Sequence, residues 1–312
     1  MRLVMISEGR ITVESRADPV PQGGELLVKV RAAGLNGADI LQRKGQYPLP
    51  PYIPADAPGL EFAGEVIGAG PGATRFPVGA RVMGLVAARG QADMLVVNER
   101  IAMLVPDSVG WPAAGGFPEV FITAHDALFS QAQLRPGENL LVHGAAGGVG
   151  SAAVQLGRLI GARVTGTVRT DGARAAVSAW GAKAIDVGSF LNSGPYDVIL
   201  ELVDAHNLTA NLSVLSSKGR IMVVGVGPDA TTQIDLLELI RLRASVHGST
   251  LRIRTLEEKA LASRRLETEV LPALASGTLT VPIAATFQLS DAARAYEFFE
   301  AGGKVGKVVL VM

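Results

Sequence analysis

The rhythm of hydrophobic positions changes twice along this chain. As far as about residue 115 the apolar runs are short and broken by glycine and proline. Residues 25–30 (ELLVKV) alternate apolar with polar positions and carry β-branched side chains, as a half-buried strand does. A proline-rich loop opens at residues 41–48 and runs through Pro58, and residues 59–69 and 80–86 read as further strands set off by Pro71, Gly72, Pro77 and Gly79. Short strands with long irregular connections predict a small antiparallel β domain. From about residue 118 the pattern becomes helical over 120–132. Apolar runs then recur at 140–143, 163–168, 184–187, 197–202, 220–226 and 244–248. Segments of helical length, such as 151–160 and 173–179, lie between most of them. Strands apolar on both faces and alternating with helices predict a parallel sheet covered on both sides, a doubly wound α/β arrangement. The final stretch predicts a helix over 255–276, another from residue 290 and a strand over 307–312, folding back onto the first domain.

Composition narrows the chemistry. At 312 residues the chain is long enough for two domains. It has no cysteine, which excludes disulfides, a thiol nucleophile and a cysteine-held zinc site. Lys+Arg and Asp+Glu both number 29, so no net field draws nucleic acid or an anionic membrane. No apolar run is long enough to span a bilayer, and the first ten residues lack the apolar core of a signal peptide. A soluble, cytoplasmic enzyme acting on a small molecule is the expectation.

The most informative segment is Leu140-Leu141-Val142-His143-Gly144-Ala145-Ala146-Gly147-Gly148-Val149-Gly150-Ser151, a strand, a glycine-rich turn and a helix start. Such a turn lets backbone N–H groups at a helix N-terminus meet a pyrophosphate. Gly147 allows close approach, and Gly150 allows tight packing of helix on strand. Against G-x-G-x-x-G the register places Ala145 where the first glycine belongs. The same residues satisfy the Gly-x-x-x-Gly-x-Gly of short-chain dehydrogenases. That option fails, because none of the four tyrosines has Lys four places on.

The cofactor can be read about 20 residues later, where NAD binders place an acid on the ribose. Here the second strand ends Val168-Arg169-Thr170, with Arg174 further on. Guanidinium groups can fork onto a 2′-phosphate, which favours NADP(H). Asp171 stays open as a ribose acid. The four histidines are dispersed, His143 inside a predicted strand reads as a core residue, and no G-x-S-x-G elbow supports a hydrolase.

Beyond the turn, several segments carry a family likeness: Ala33-Gly34-Leu35-Asn36 with Asp39; Arg43-Lys44-Gly45-Gln46-Tyr47-Pro48; Gly59-Leu60-Glu61-Phe62-Ala63-Gly64; Phe117-Pro118-Glu119 with Thr123-Ala124; Gly248-Ser249-Thr250-Leu251; and Gly306-Lys307. With these the chain resembles the medium-chain dehydrogenase/reductase superfamily, and within it the zinc-free quinone oxidoreductases of the zeta-crystallin-like branch. The likeness spans essentially the whole chain. It implies a GroES-like, mainly antiparallel β domain over residues 1–118 and 253–312, and a Rossmann dinucleotide-binding domain over 119–252. Zinc alcohol dehydrogenases carry a metal-binding histidine where Leu60 stands, and a four-cysteine lobe where this chain has only Ala87-Ala88-Arg89-Gly90. No metal is therefore expected. Without a Lewis acid an alcohol is hard to activate, whereas quinones and enones need less help.

The resemblance implies hydride transfer from NADPH to an acceptor held about 3–3.5 Å away in a dry cleft between the domains. Asn36 and Thr123 would touch the nicotinamide end; Ala146, Gly147, Gly148 and Val149 would cradle the diphosphate; Arg169 and Arg174 would meet the 2′-phosphate. Val203, Gly225 and Ser249 would line the same crevice from later strands. Tyr47 and Tyr52 would wall the acceptor, and Asn36 would share in catalysis. For Tyr52 a surface-packed loop ring, and for Lys307 a solvated turn lysine, stand beside the cofactor and substrate roles. The chain departs from the family at Asp204, at Gln91-Ala92-Asp93-Met94 and at Val187, where an aromatic often covers the adenine. An NADPH-dependent quinone reductase is the leading expectation. An enone or alkenal reductase and a non-catalytic NADPH-binding protein are the alternatives, and a homodimer through the Rossmann sheet edge is the expected assembly.

Overall fold

A computed structural model describes residues 1–227 and 230–312. The chain divides into two compact units. One comprises Met1–Ile122, Leu251–Gly302 and Gly306–Met312; the other comprises Thr123–Thr250 with Gly303–Val305.

In the first unit a sheet of seven strands is built around Glu25–Gly34, the long strand that the alternating pattern announces. It pairs antiparallel with Glu61–Ala69, Met94–Asn98 and Lys307–Val311. Glu61–Ala69 pairs on with Arg81–Leu85, and that strand with Ala102–Leu104. At the other edge Ile283–Gln288 runs parallel to Lys307–Val311. Leu26, Val28, Phe62, Val66 and Val82 fill the core on one side. Leu35, Tyr296, Val308 and Leu310 form a second apolar cluster with the helix Ala292–Glu300.

Several elements differ from the sequence pattern. A hairpin, Arg2–Ser7 with Arg10–Ser15, forms where no element is assigned. Its turn places both Glu8 (φ 48°) and Gly9 (φ 74°) in the left-handed region, which matches a two-residue hairpin turn but hides behind a glutamate. Gly37–Arg43 is a helix, so the expected loop begins only after Arg43. The Asp39 carboxylate accepts the Asn36 N–H at 2.8 Å and so caps the helix start. The single helix expected over 255–276 is two, Leu256–Glu269 and Leu271–Ala275, because Pro272 cannot continue the first.

The second unit carries a six-stranded parallel sheet. Its spatial order is Lys183–Asp186, Arg163–Val168, Asn139–Val142, Tyr196–Glu201, Leu215–Val223, Ser245–Gly248. Numbered along the chain that is 3-2-1-4-5-6, the Rossmann order, whose ligand crevice lies at the carboxyl ends of the strands beside the central switch point. The fifth strand starts and ends earlier than the apolar run at 220–226. The N–H groups of Val224 and Gly225 both turn to the Glu201 carbonyl and leave the ladder. The helix Pro118–His125 runs into a π-helical segment, Asp126–Gln131. Helices Asn207–Ser213 and Leu236–Leu242 complete the unit. No described helix is long and apolar enough to cross a membrane.

Candidate active site

The glycine-rich turn lies at the carboxyl end of Asn139–Val142, on the central strand. The residue that needs glycine for its left-handed backbone is Gly144 (φ 65°), one place before the position that Ala145 occupies in the motif register. The imperfect match is therefore only apparent: Ala145 is fully buried and packs against Gly166. Gly147 donates to the Gly144 carbonyl at 3.0 Å and then caps the helix Gly148–Leu159 with no side chain over it. The first-turn N–H groups, including those of Gly148 and Val149, are thus left for an external acceptor. A Cβ on Gly150 would stand 2.2 Å from the Gly144 carbonyl oxygen, so only glycine lets the helix start this close to the turn. This geometry fits a dinucleotide diphosphate, with uncapped N–H groups and the positive helix end facing it.

The other expected cofactor residues of this unit separate into two groups. Ala146, Val203, Gly225 and Ser249 follow the carboxyl ends of parallel strands. Val203 is exposed, its side chain in contact distance of the Gly144 position, and Ser249 Oγ accepts from Gln131 Nε2 at 2.8 Å. Thr123 is 7% exposed. Arg169 is exposed at the end of the second strand and makes no hydrogen bond or ion pair among the described residues. Arg174 is differently placed: its guanidinium donates to the Ala184 carbonyl at 2.9 Å and pairs with Asp186. Of the two arginines, Arg169 alone has its donors unspent. Val187 is exposed, leaving no aromatic at that position.

In the first unit the sequence motifs converge on a buried polar cluster whose extent the sequence does not reveal. Lys307 is neither a turn lysine in water nor free: it is 3% exposed, and its ammonium donates to the Leu35 carbonyl (2.8 Å), Asn36 Oδ1 (2.6 Å) and Glu61 Oε1 (2.6 Å). Asn36 Nδ2 donates to the same Glu61 oxygen at 3.0 Å, and the Glu119 N–H to the other at 2.9 Å. Gly34 makes room for that carboxylate, since a Cβ there would lie 2.2 Å from Glu61 Oε1. Both functional atoms of Asn36 are therefore held by its neighbours.

Asp39, fully buried, accepts from Asn36 N, Gly59 N (2.9 Å) and Gln91 Nε2 (3.3 Å). Burial pushes its carboxyl up to about 6, against the pull of the Gly59 and Asn36 hydrogen bonds and of the positive charges on Lys307 and Arg252. Burial, with the like charge of Glu61 beside it, pushes Glu119 up to about 8. Glu119 thus holds its proton at neutral pH. Arg252 is 5% exposed, donates to the Ala87 carbonyl and to Gln42 Oε1 (both 2.7 Å), and sits 5.1 Å from the centre of the Tyr47 ring. Tyr52 is 76% exposed, the surface placement that its proline-rich segment allows. Sequence reasoning names Asn36, Tyr47 and Lys307. Asp39, Glu61 and Glu119 stand in the segments that carry the likeness, but the pairing of Glu61 with Lys307 and the arginine under Tyr47 are not legible, because those residues lie hundreds of positions apart in the chain.

Folding takes up a proton on Asp39, because the folded-state value lies above the ordinary 3.8. Its contribution is complete below that ordinary value and is lost as pH rises through about 6. Thermal unfolding of Asp39→Asn between pH 4 and 7 is expected to lose the part of the wild-type decline that falls in this window. An unchanged slope would assign the titration elsewhere.

Comparison with known proteins agrees with this architecture. An alcohol dehydrogenase GroES-like domain matches residues 22–133, and a zinc-binding dehydrogenase domain matches residues 181–310. The quinone oxidoreductase of Mus musculus is 30% identical over 311 residues, covering 94% of this chain and 91% of the relative. The structure of mycobacterial Rv1454c complexed with NADPH superposes with a TM-score of 0.89 at 27% identity, covering 100% of both chains. CurK enoyl reductase shares the fold with a TM-score of 0.88 at 23% identity, covering 100% of this chain and 99% of the other. The fold and these matches define an oxidoreductase of the NAD(P)-binding dehydrogenase class. Within that class the chain belongs to the quinone oxidoreductases of the medium-chain dehydrogenase/reductase superfamily. The zinc in the second domain's description finds no matching donor set here. The chain lacks cysteine, and among the described residues no three His, Asp or Glu side chains come together to hold a metal.

Proposed function

We propose that the chain is an NADPH-dependent quinone oxidoreductase that passes a hydride to its acceptor without a metal. The balance is NADPH + H⁺ + quinone giving NADP⁺ + hydroquinone, two electrons and one hydrogen moving together as hydride and a proton following. The observation that carries the reading is the uncapped helix start at Gly147–Gly150 with Arg169 exposed at the end of the neighbouring strand. When bound, the reduced nicotinamide supplies the hydride. The protein's own share is placement and charge. The first-turn N–H groups receive the diphosphate, and Arg169, rather than the paired Arg174, meets the 2′-phosphate. Tyr47, its ring beside the Arg252 guanidinium, and the exposed Tyr52 offer aromatic faces and phenol groups to a flat acceptor. Asn36, its amide held by Glu61 and Lys307, would touch the nicotinamide end.

One second reading is an enone reductase, the kind of activity for which the CurK enoyl reductase that shares the fold is named; like the quinone reaction it takes up a hydride and then a proton. Residues 1–118 with 253–312 would serve the acceptor and 119–252 the cofactor, in the cytoplasm. The assembly is a homodimer joined at the edge strand Ser245–Gly248, beside the exposed Leu236, Leu237 and Ile240. The test is NADPH oxidation against 1,4-benzoquinone, a naphthoquinone and 2-alkenals. Fastest turnover of the quinones is expected, and preferential alkenal turnover would move the assignment to the second reading. In the same assay Arg169→Ala should cut the preference for NADPH over NADH by roughly tenfold to a hundredfold, the loss of a charge-assisted pair. Binding of NADPH without turnover of any acceptor would leave a binding protein rather than an enzyme.

A further inference from the structure

Four buried side chains beneath the glycine-rich turn form one continuous hydrogen-bonded chain. It begins at the turn itself, where the Gly144 N–H donates to Thr167 Oγ1 at 3.2 Å. Thr167 Oγ1 lies 3.3 Å from His143 Nδ1, and His143 Nε2 lies 2.7 Å from Asn211 Oδ1. Asn211 Nδ2 donates to Glu201 Oε2 at 2.9 Å. The other Glu201 oxygen accepts the N–H groups of Val203 (2.8 Å) and Asp204 (3.1 Å). None of Thr167, His143, Asn211 or Glu201 is more than 3% exposed.

The amide and backbone donors set the direction of these bonds. Asn211 Nδ2 donates to Glu201, so the amide turns its oxygen to His143. His143 then donates from Nε2, and Nδ1 is left to accept from the Thr167 hydroxyl. That hydroxyl's own oxygen is free to take the Gly144 N–H. Each group has one role, and no member can turn without leaving a buried polar atom unpaired, which costs more than the bond itself returns.

The two ends of the chain are the point. One is the left-handed residue that opens the turn; the other is the Val203–Asp204 backbone just past the carboxyl end of the next strand. The two are also in steric register, since a Cβ at Gly144 would come within 2.9 Å of Val203 Cγ2. We propose that Thr167, His143, Asn211 and Glu201 are positioning residues that lock the glycine-rich turn and the Val203–Asp204 segment into one preformed cofactor cradle. All four are buried, and they act on the turn and on Val203–Asp204 through backbone N–H groups. The proposal rests on the reading that a dinucleotide occupies the turn.

The test uses Thr167→Val, which keeps the shape and removes the hydroxyl, Thr167→Ser, which restores it, and Asn211→Leu, which cuts the chain in the middle. NADPH is titrated calorimetrically into each full-length variant, and exchange of the Gly144 amide is followed by NMR without cofactor. Thr167→Val and Asn211→Leu are expected to weaken NADPH about fivefold to tenfold, the worth of a lost buried hydrogen bond. The loss should fall on the KM for NADPH rather than on kcat. Gly144 exchange should quicken in both variants, and Thr167→Ser should stay within about twofold of wild type in both measurements. Wild-type NADPH affinity in Thr167→Val and Asn211→Leu, even with a lowered melting temperature, would make the network structural only and overturn the proposal. Should Asn211→Leu fail to fold, Thr167→Val against Thr167→Ser decides alone. A wild-type protein that binds neither NADPH nor NADH would sink the cofactor reading instead. Gly144 exchange would then separately confirm or refute the lock.

Discussion

Replacing Lys307 by methionine should lower the melting temperature by roughly 10 °C. The reason is the charge it would strand. Glu61 is fully buried, and Lys307 Nζ is the only cation within hydrogen-bonding distance of its carboxylate among the described residues. Without the ammonium, the Asn36 and Glu119 donors remain, which satisfy oxygen lone pairs but carry no charge. Removing one partner of a buried pair typically costs about 3–5 kcal/mol, because the survivor keeps its desolvation penalty and loses its compensation. At about 2–4 °C per kcal/mol for domains of roughly 150–250 residues, that is a shift of the stated size. A double variant, Lys307→Met with Glu61→Gln, removes both charges and should recover more than half of the loss. If the single variant melts within about 2 °C of wild type, the pair is not holding the cluster together. Activity should fall as well, since Asn36 Oδ1 loses the donor that fixes its amide.

This cluster also shows which parts of such a protein can be read from sequence. Strand 25–30 and the parallel run from 140 to 248 are legible because a side chain's face is set by its nearest neighbours in the chain, so periodicity records burial. The glycine-rich turn is legible for a related reason: a carbonyl at Gly144 that forbids a Cβ at Gly150 is a constraint six residues long. Lys307 and Glu61 are 246 residues apart, and each alone looks like an ordinary surface charge. Only the antiparallel pairing of Lys307–Val311 against Glu25–Gly34 brings the lysine to the helix start at Asn36. The hairpin at Arg2–Ser15 is hidden in another way, because Glu8 takes a backbone conformation that normally advertises itself with asparagine or glycine. Arg174 looks like a second phosphate ligand in the sequence, but the strand that supplies Asp186 comes later and captures it.

Gly150→Ala is expected to abolish productive cofactor binding while leaving most of the fold intact. By helix propensity alone the change would be favourable by about 1 kcal/mol, since the residue lies in the first turn of Gly148–Leu159. Contact decides otherwise. The new Cβ would sit 2.2 Å from the Gly144 carbonyl oxygen and 2.8 Å from Ala145 Cα, backbone atoms that cannot rotate away as a side-chain tip can. Either the helix start moves out or the turn opens, and the Gly147 N–H to Gly144 carbonyl bond is the first to suffer. Displacing the first-turn N–H groups removes charge-assisted hydrogen bonds to the diphosphate, each typically worth about 1.5–3 kcal/mol, so the Kd for NADPH should rise about a hundredfold. Gly172→Ala is the matched control. It also lies early in a helix, Asp171–Ala179, but a Cβ there meets nothing within 4 Å. It should raise stability by about 0.5–1 kcal/mol and leave NADPH affinity unchanged. Calorimetric titration of the two variants side by side separates close approach at the turn from any general effect of adding a methyl group to a helix. Wild-type affinity in Gly150→Ala would show that the diphosphate does not lie on this turn.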